Sequence, residues 1–204
     1  QGAGSQYTHA CYSDIPHLYS ARGFADGHPG EAGRPRRGQG PLRYAAAADL
    51  AGRDYKHMLL PLLRGHPLVA AVVDVLPRQS VTYPEAAIAA AKLIKDGEVD
   101  RALLVCHTGL GMAIAANKVR GIRAVTCHDS YSLRASVLSN DAQVLAIGQG
   151  VIGQGLAKQL VTEWLHHRFD PASSAARKVA LIEDFERGRR LGPHGREDRN
   201  ADQP

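Results

Sequence analysis

Methionine, tryptophan and cysteine are scarce: two, one and three residues in a chain of 204, with aromatic residues of all kinds at 5%. The three cysteines, Cys11, Cys106 and Cys127, are odd in number and fall at unrelated spacings. No disulfide framework is expected, and the thiols point to a reduced, cytoplasmic compartment. No apolar run approaches the roughly 20 residues that a membrane-spanning helix needs. The first residues lack the apolar core of a secretory leader. Net charge is +5, yet no dense Lys/Arg stripe with interleaved aromatics is present, which argues against a nucleic-acid partner. Several motifs are also missing. There is no Gly-Lys-Ser/Thr for a Walker loop, and no CxxC pair for thioredoxin-like exchange. Met112 stands where a cysteine phosphatase cradle needs arginine, and Ile114 where a dinucleotide fingerprint needs its third glycine.

What is present begins unevenly. Residues 1–41 hold eight glycines and four prolines without helical or strand periodicity. They are expected to be a flexible extension, or sequence foreign to the fold. His9, His17 and His28 are too scattered there to suggest a metal site. A folded domain is expected over residues 42–188, followed by a polar, Arg-rich tail over 189–204.

Within the domain, strands and helices alternate. The expected strands are 42–48, 68–76, 102–105, 122–127 and 142–148. The expected helices are 54–63, 84–95, 112–116, 130–138, 151–167 and 174–187. A loop is expected over 77–83, with Pro84 in the first turn of the next helix and Gly97 past its end. In the fifth helix Ile152, Leu156, Leu160 and Trp164 recur at helical spacing. This order predicts a Rossmann-like three-layer α/β/α fold with a five-stranded parallel sheet. Ligands of such sheets bind beyond the carboxyl ends of the strands. Asp49, Cys106, Cys127 and Asn140 are expected at or near those ends.

The stretch with most chemistry is 101–118, RALLVCHTGLGMAIAANK. An apolar strand ends in Cys106, a glycine-bearing turn follows, and a helix begins. A thiol there, beside free amides and a helix dipole, is in a setting that favours the thiolate. Thiolate and amides together suit proton transfer next to a developing oxyanion. Other readings stay open. Cys106-His107 and Cys127-His128 end successive strands and can be imagined as a zinc set. Adjacent strand residues point to opposite faces, however, and Cys127 reads more simply as a buried small hydrophobe. Asp49 can serve as a helix cap, Asn140 and Asp141 as a turn, and Arg123 as a solvated charge at a strand end. His66, His166 and His167 read as surface residues.

Residues 42–185 resemble the ribose-5-phosphate isomerase B / galactose-6-phosphate isomerase family. The residues that carry the resemblance are Cys106-His107-Thr108-Gly109-Leu110-Gly111-Met112 through Lys118, then Gly121-Ile122-Arg123-Ala124, then Ser139-Asn140-Asp141-Ala142-Gln143-Val144-Leu145. Asp49 with Gly52 and Lys56, and the pair Tyr83-Pro84, fit further parts of the family pattern. The resemblance implies aldose–ketose isomerisation of a phosphorylated sugar through a cis-enediolate, of the ribose 5-phosphate to ribulose 5-phosphate type, with no cofactor and no metal. By resemblance Cys106 is the base, and Thr108 with the amides of Gly109 and Gly111, flanking Leu110, holds the enediolate oxygen. Asp49 binds or shuttles at a hydroxyl. Asn140, Ser139 and Tyr83 are expected near the substrate. Arg134, Arg177 and Lys178 are candidates for phosphate, Arg134 equally for a solvated helix charge. A homodimer with shared active sites, possibly a tetramer, is also implied.

Several positions depart from that pattern. Ser139 stands where the ribose enzymes have a histidine linked to furanose opening. Leu50 and Ser174 stand where phosphate-contacting side chains are common, Gly150 where an arginine is common, and His107 replaces a usual glycine. A four-carbon sugar phosphorylated on its terminal oxygen cannot close a furanose. The chain also looks like the branch that includes D-erythrulose-4-phosphate isomerases, so that reaction is the alternative. A phosphosugar-binding homologue without catalysis is a further one.

Overall fold

The computed structural model describes residues 40–75 and 82–189. Most of the expected extension, nearly all of the tail, and most of the loop expected at 77–83 lie outside the described residues.

The described chain alternates strand and helix. β1 is Leu42–Ala48, α1 Arg53–Arg64, β2 Val69–Asp74, α2 Tyr83–Lys95, β3 Arg101–Cys106 and α3 Leu110–Ala116. β4 (Ala124–Thr126), α4 (Ser130–Leu138), β5 (Val144–Gly148), α5 (Gln154–His166) and α6 (Ala176–Glu186) complete it. The five strands form one parallel sheet in the order β2-β1-β3-β5-β4. The expected α/β class and sheet are therefore present. Among the described residues no helix is long and apolar enough to cross a membrane.

Alternation along the strands builds two unlike cores. Ala45, Ala47, Ala102, Leu104, Cys106 and Ala146 face α2 and α3, where Ala86, Ala87, Ala90, Ala113 and Ala116 meet them. Tyr44, Leu103, Val105, Leu145 and Ile147 face the other way, toward Leu59, Leu63, Leu133, Leu160 and Trp164 of α1, α4 and α5. One side is thin and alanine-rich, the other thick and aromatic. On the thick side the Tyr44 and Trp164 rings meet edge-on at 5.4 Å. Arg101, buried at the amino end of β3, donates to the carbonyls of Trp164 (3.2 Å) and His167 (2.9 Å) and closes the end of α5. Lys56 is buried too, its Nζ 2.7 Å from Asp74.

Element ends differ from expectation for identifiable reasons. α2 begins at Tyr83, because the Thr82 amide and hydroxyl both donate to Glu85 and start the helix there. β4 pairs over only three residues. Side chains hold the chain before it and on its outer side: the Arg123 amide donates to Gln143 Oε1 at 2.8 Å, and the Asn117 amide group bonds both backbone groups of Ala124. Asn117 thus imitates a neighbouring strand along the sheet edge. In α5 Leu156 is exposed, and the buried stripe is Ala157, Leu160, Val161, Trp164 and Leu165. A strict i, i+4 row drifts about 40° per step around a helix, so Ile152, Leu156, Leu160 and Trp164 cannot all face one core.

Candidate active site

The connection from β1 leads to β2 on one side, and that from β3 leads to β4 on the other. The crevice of an open α/β sheet lies where such connections diverge, beyond the carboxyl ends of the two strands. Ala48 of β1 is level with Val105 of β3. Asp49 and Cys106 therefore stand side by side at its floor.

Asp49 adopts extended backbone geometry, and its Oδ1 accepts from the Gly52 amide at 3.0 Å. The cap reading of Asp49 is thus present. Gly52 lies so close to β3 that a Cβ there would stand 2.1 Å from the Val105 carbonyl oxygen. Only glycine lets this turn settle onto the strand beside Cys106. Gln149, next after β5, ties the same corner: its amide donates to the Cys106 carbonyl at 2.8 Å, and its Oε1 accepts from the Tyr55 amide at 3.1 Å.

Cys106 is 6% exposed and belongs to the alanine-rich core. Its sulfur is not enclosed by apolar atoms alone, because the Gly109 amide donates to Sγ at 3.1 Å. That contact needs the loop to reverse sharply. Gly109 does so at φ +81°, with Thr126 Cγ2 and the β5 backbone only 3.0–3.2 Å from where a Cβ would be. Thr126 Oγ1 donates to the Gly109 carbonyl at 3.1 Å and fixes the turn from β4. Leu110 donates its amide to Thr108 Oγ1 at 3.4 Å. The amides of Gly111 and Met112, in the first turn of α3, have no acceptor within the helix. The Tyr83 ring packs on Gly111, close enough that a Cβ would meet it at 2.6 Å. Tyr83, Thr108, Gly109, Leu110, Gly111, Cys106 and Asp49 therefore gather around one crevice. The arrangement offers a sulfur that can take a proton beside amides that can hold an oxyanion.

The remaining expected residues lie elsewhere. Asn140 was expected at the carboxyl ends, but Ser139 and Asn140 follow α4 and precede β5, so they stand at the amino ends of the strands. Cys106 is level with Gly148, and Ala102 with Val144. At about 3.3 Å per residue, β5 alone separates the two ends by roughly 13 Å. Ser139 and Asn140 are exposed, and Asn140 lends its carbonyl to Arg123 Nε at 3.0 Å. Arg123 is not a solvated charge. It also reaches Asp141 Oδ2 at 2.6 Å and Glu183 Oε1 at 3.1 Å, tying α6 to this end. Arg134, Arg177 and Lys178 are exposed on α4 and α6. The zinc set does not assemble, since Cys106 and Cys127 lie in cores on opposite faces of the sheet. Burial pushes the Cys127 thiol up.

Two contributors were missed, Gln149 and Thr126, and His128, weighed only as part of a zinc set, plays a different part. His128 Nε2 accepts from the Gly148 amide at 2.9 Å, and burial holds this imidazole below its usual range against the pull of Asp129.

A thiol beneath a loop of amides at the crevice of a parallel α/β sheet is a setting suited to proton transfer next to a carbonyl group. Residues 45–182 match the family described as Ribose/Galactose Isomerase, and this chain belongs to that family and is a sugar-phosphate isomerase by the names of its relatives. It is 52% identical over 148 residues to D-erythrulose-4-phosphate isomerase 2 of Mycolicibacterium smegmatis, covering 71% of this chain and 97% of that one. It is 42% identical over 146 residues to D-erythrulose-4-phosphate isomerase of Pectobacterium atrosepticum, covering 71% and 95%. Among solved structures, ribose-5-phosphate isomerase B of Clostridium thermocellum superposes with a TM-score of 0.66 at 37% identity, covering 72% of this chain and 98% of that one.

Proposed function

We propose that this chain interconverts D-erythrulose 4-phosphate and D-erythrose 4-phosphate, with Cys106 as the base. The Cys106 thiolate takes a proton from C1 of the ketose, and the electron pair moves to the C2 oxygen. The Gly111 amide, which has no acceptor within the helix, holds that oxygen as the enediolate forms. The thiol then returns the proton to C2 while the O1 hydroxyl proton passes to the C2 oxygen, giving the aldose. No net oxidation occurs. The observation that carries this reading is the Gly109 amide directed at Cys106 Sγ at 3.1 Å, beside the first-turn amides of α3.

The four-carbon substrate is favoured over ribose 5-phosphate on two grounds. One relative named as an erythrulose-4-phosphate isomerase is 52% identical over 148 residues, against 37% over 149 residues for a relative of similar coverage named as a ribose-5-phosphate isomerase B. Ser139 also lacks an imidazole for opening a furanose ring, a step that a four-carbon 4-phosphate does not require.

A second copy of the chain completes the site in this reading. Leu50, Leu110, Ile114 and Val151 are exposed around the carboxyl end of the sheet, an apolar rim that a partner can cover. Ser139, Asn140, Arg134, Arg177 and Lys178 of that copy then supply hydroxyl and phosphate contacts that one chain cannot bring to its own Cys106. Light scattering on the purified chain should give twice the monomer mass.

The test of the chemistry is Cys106→Ala. Turnover of D-erythrulose 4-phosphate and exchange of its C1 proton with solvent deuterium should fall by about 10²–10⁴-fold, with an unchanged circular-dichroism melt. Wild-type exchange in that variant refutes the assignment of the base.

A further inference from the structure

We propose that His107 is a specificity-determining residue, whose imidazole shortens the β5 side of the crevice and favours a four-carbon over a five-carbon sugar phosphate. This rests on the reading of the site given above and deepens it. His107 leaves β3 immediately after Cys106 and is exposed. Its ring lies across the α-carbon of Gly150. A Cβ added there would stand 2.3 Å from Cε1, 2.6 Å from Nδ1 and 2.7 Å from Nε2. The backbones are joined as well, because the Gly150 amide donates to the His107 carbonyl at 2.9 Å. The two residues therefore share one volume: the ring occupies the space that any side chain at 150 would take.

That volume belongs to the catalytic corner. Gln149, directly before Gly150, donates to the Cys106 carbonyl at 2.8 Å, so the segment under the ring is bonded to the base-bearing residue itself. Among the described residues none hydrogen-bonds the ring nitrogens of His107. An imidazole seated on a glycine, at the mouth of the crevice and with both nitrogens unclaimed, has two effects. It excludes a substrate atom that would extend toward β5, and it presents a nitrogen to an oxygen of a substrate that stops short. An imidazole has only two side-chain torsions, and stacking on Gly150 restrains both, so the boundary is rigid.

The proposal is tested with the full chain and its variants His107→Gly, Gly150→Ala and the double variant, assayed with D-erythrulose 4-phosphate and D-ribulose 5-phosphate. His107→Gly should lower the four-carbon to five-carbon ratio of kcat/KM by about tenfold or more, the discrimination usual for one carbon in a packed pocket. Gly150→Ala alone should displace the ring and impair the four-carbon reaction. In the His107→Gly background the same change should have little effect, since the atoms it strikes are gone. A ratio that stays constant, with both substrates changed by one factor or by none, overturns the proposal. Calorimetric binding of both sugars to Cys106→Ala, with and without His107→Gly, separates this from the functional reading. Binding without turnover in the wild type refutes the isomerase while the affinity ratio still judges His107. Binding of neither sugar refutes both.

Discussion

Gly52→Ala is the most demanding test of how the crevice is assembled. A Cβ at 52 would stand 2.1 Å from Val105 O, 2.3 Å from Val105 C and 2.7 Å from Cys106 N. Side-chain carbons essentially never come within 3.0 Å of such atoms, so about 0.9 Å of separation has to open. β3 cannot retreat, because it is bonded to β1 on one side and β5 on the other. The Asp49–Gly52 turn must lift instead. It is held by the Gly52 amide bonded to Asp49 Oδ1 and by the Tyr55 amide bonded to Gln149, both of which lengthen. Overpacking against an immovable wall costs about 1–3 kcal/mol. The same lift moves Asp49 relative to Cys106, and a displacement of about 1 Å in a reacting constellation can cost on the order of 10²-fold in rate. Urea unfolding measures the first effect and kcat/KM with D-erythrulose 4-phosphate the second. Stability within about 0.5 kcal/mol of wild type, together with undiminished kcat/KM, would show that the turn is not seated on β3 as described.

Other expected outcomes follow from single contacts. Asp74→Ala leaves the buried Lys56 ammonium without its carboxylate and should cost about 3–5 kcal/mol in urea unfolding; a loss below about 1 kcal/mol would mean that Lys56 finds another partner. His128 accepts from the Gly148 amide only when neutral, and its folded-state value lies below the ordinary imidazole value of about 6.5. Its contribution is therefore complete above that value and is lost as pH falls through the lowered one. His128→Gln, whose carbonyl accepts at any pH, should match wild type in thermal melts at neutral pH and exceed it in acid. Parallel melting curves across that range would contradict the assignment.

The order of strands and helices was readable in advance, and Ser130–Leu138 begins where Asp129 caps the Ser132 amide at 2.7 Å, a local signal. The loop from Cys106 to Gly111 was legible for a similar reason, since glycine at 109 and a thiol three residues earlier imply a sharp turn over the sulfur. Contacts distant along the chain were not. Gln149 carried no signal in the sequence, yet its Oε1 accepts from the Tyr55 amide, 94 positions away. Asn117 belonged to a motif read as catalytic surroundings, but its side chain pairs with Ala124 as an edge strand would. Asn140 was misplaced for a topological reason. A polar turn before a strand and one after it look alike in sequence, and only the chain direction separates the two ends of the sheet.

The composition of the thin core bears directly on the chemistry. Cys106 points into the face where β1, α2 and α3 contribute mostly alanine. Small side chains let a helix approach a sheet closely, and α3 must be close for the preceding loop to bring its Gly109 amide within 3.1 Å of the sulfur. Leucines such as those at 59, 63 and 160 on the opposite face would hold α3 farther from β3 and carry the amide away from Cys106. The small residues on one side of the sheet thus go together with the contact between the Gly109 amide and Cys106 Sγ. Stability is supplied instead by the other face, where Tyr44, Trp164 and the leucines of α1 and α5 bury most of the bulk.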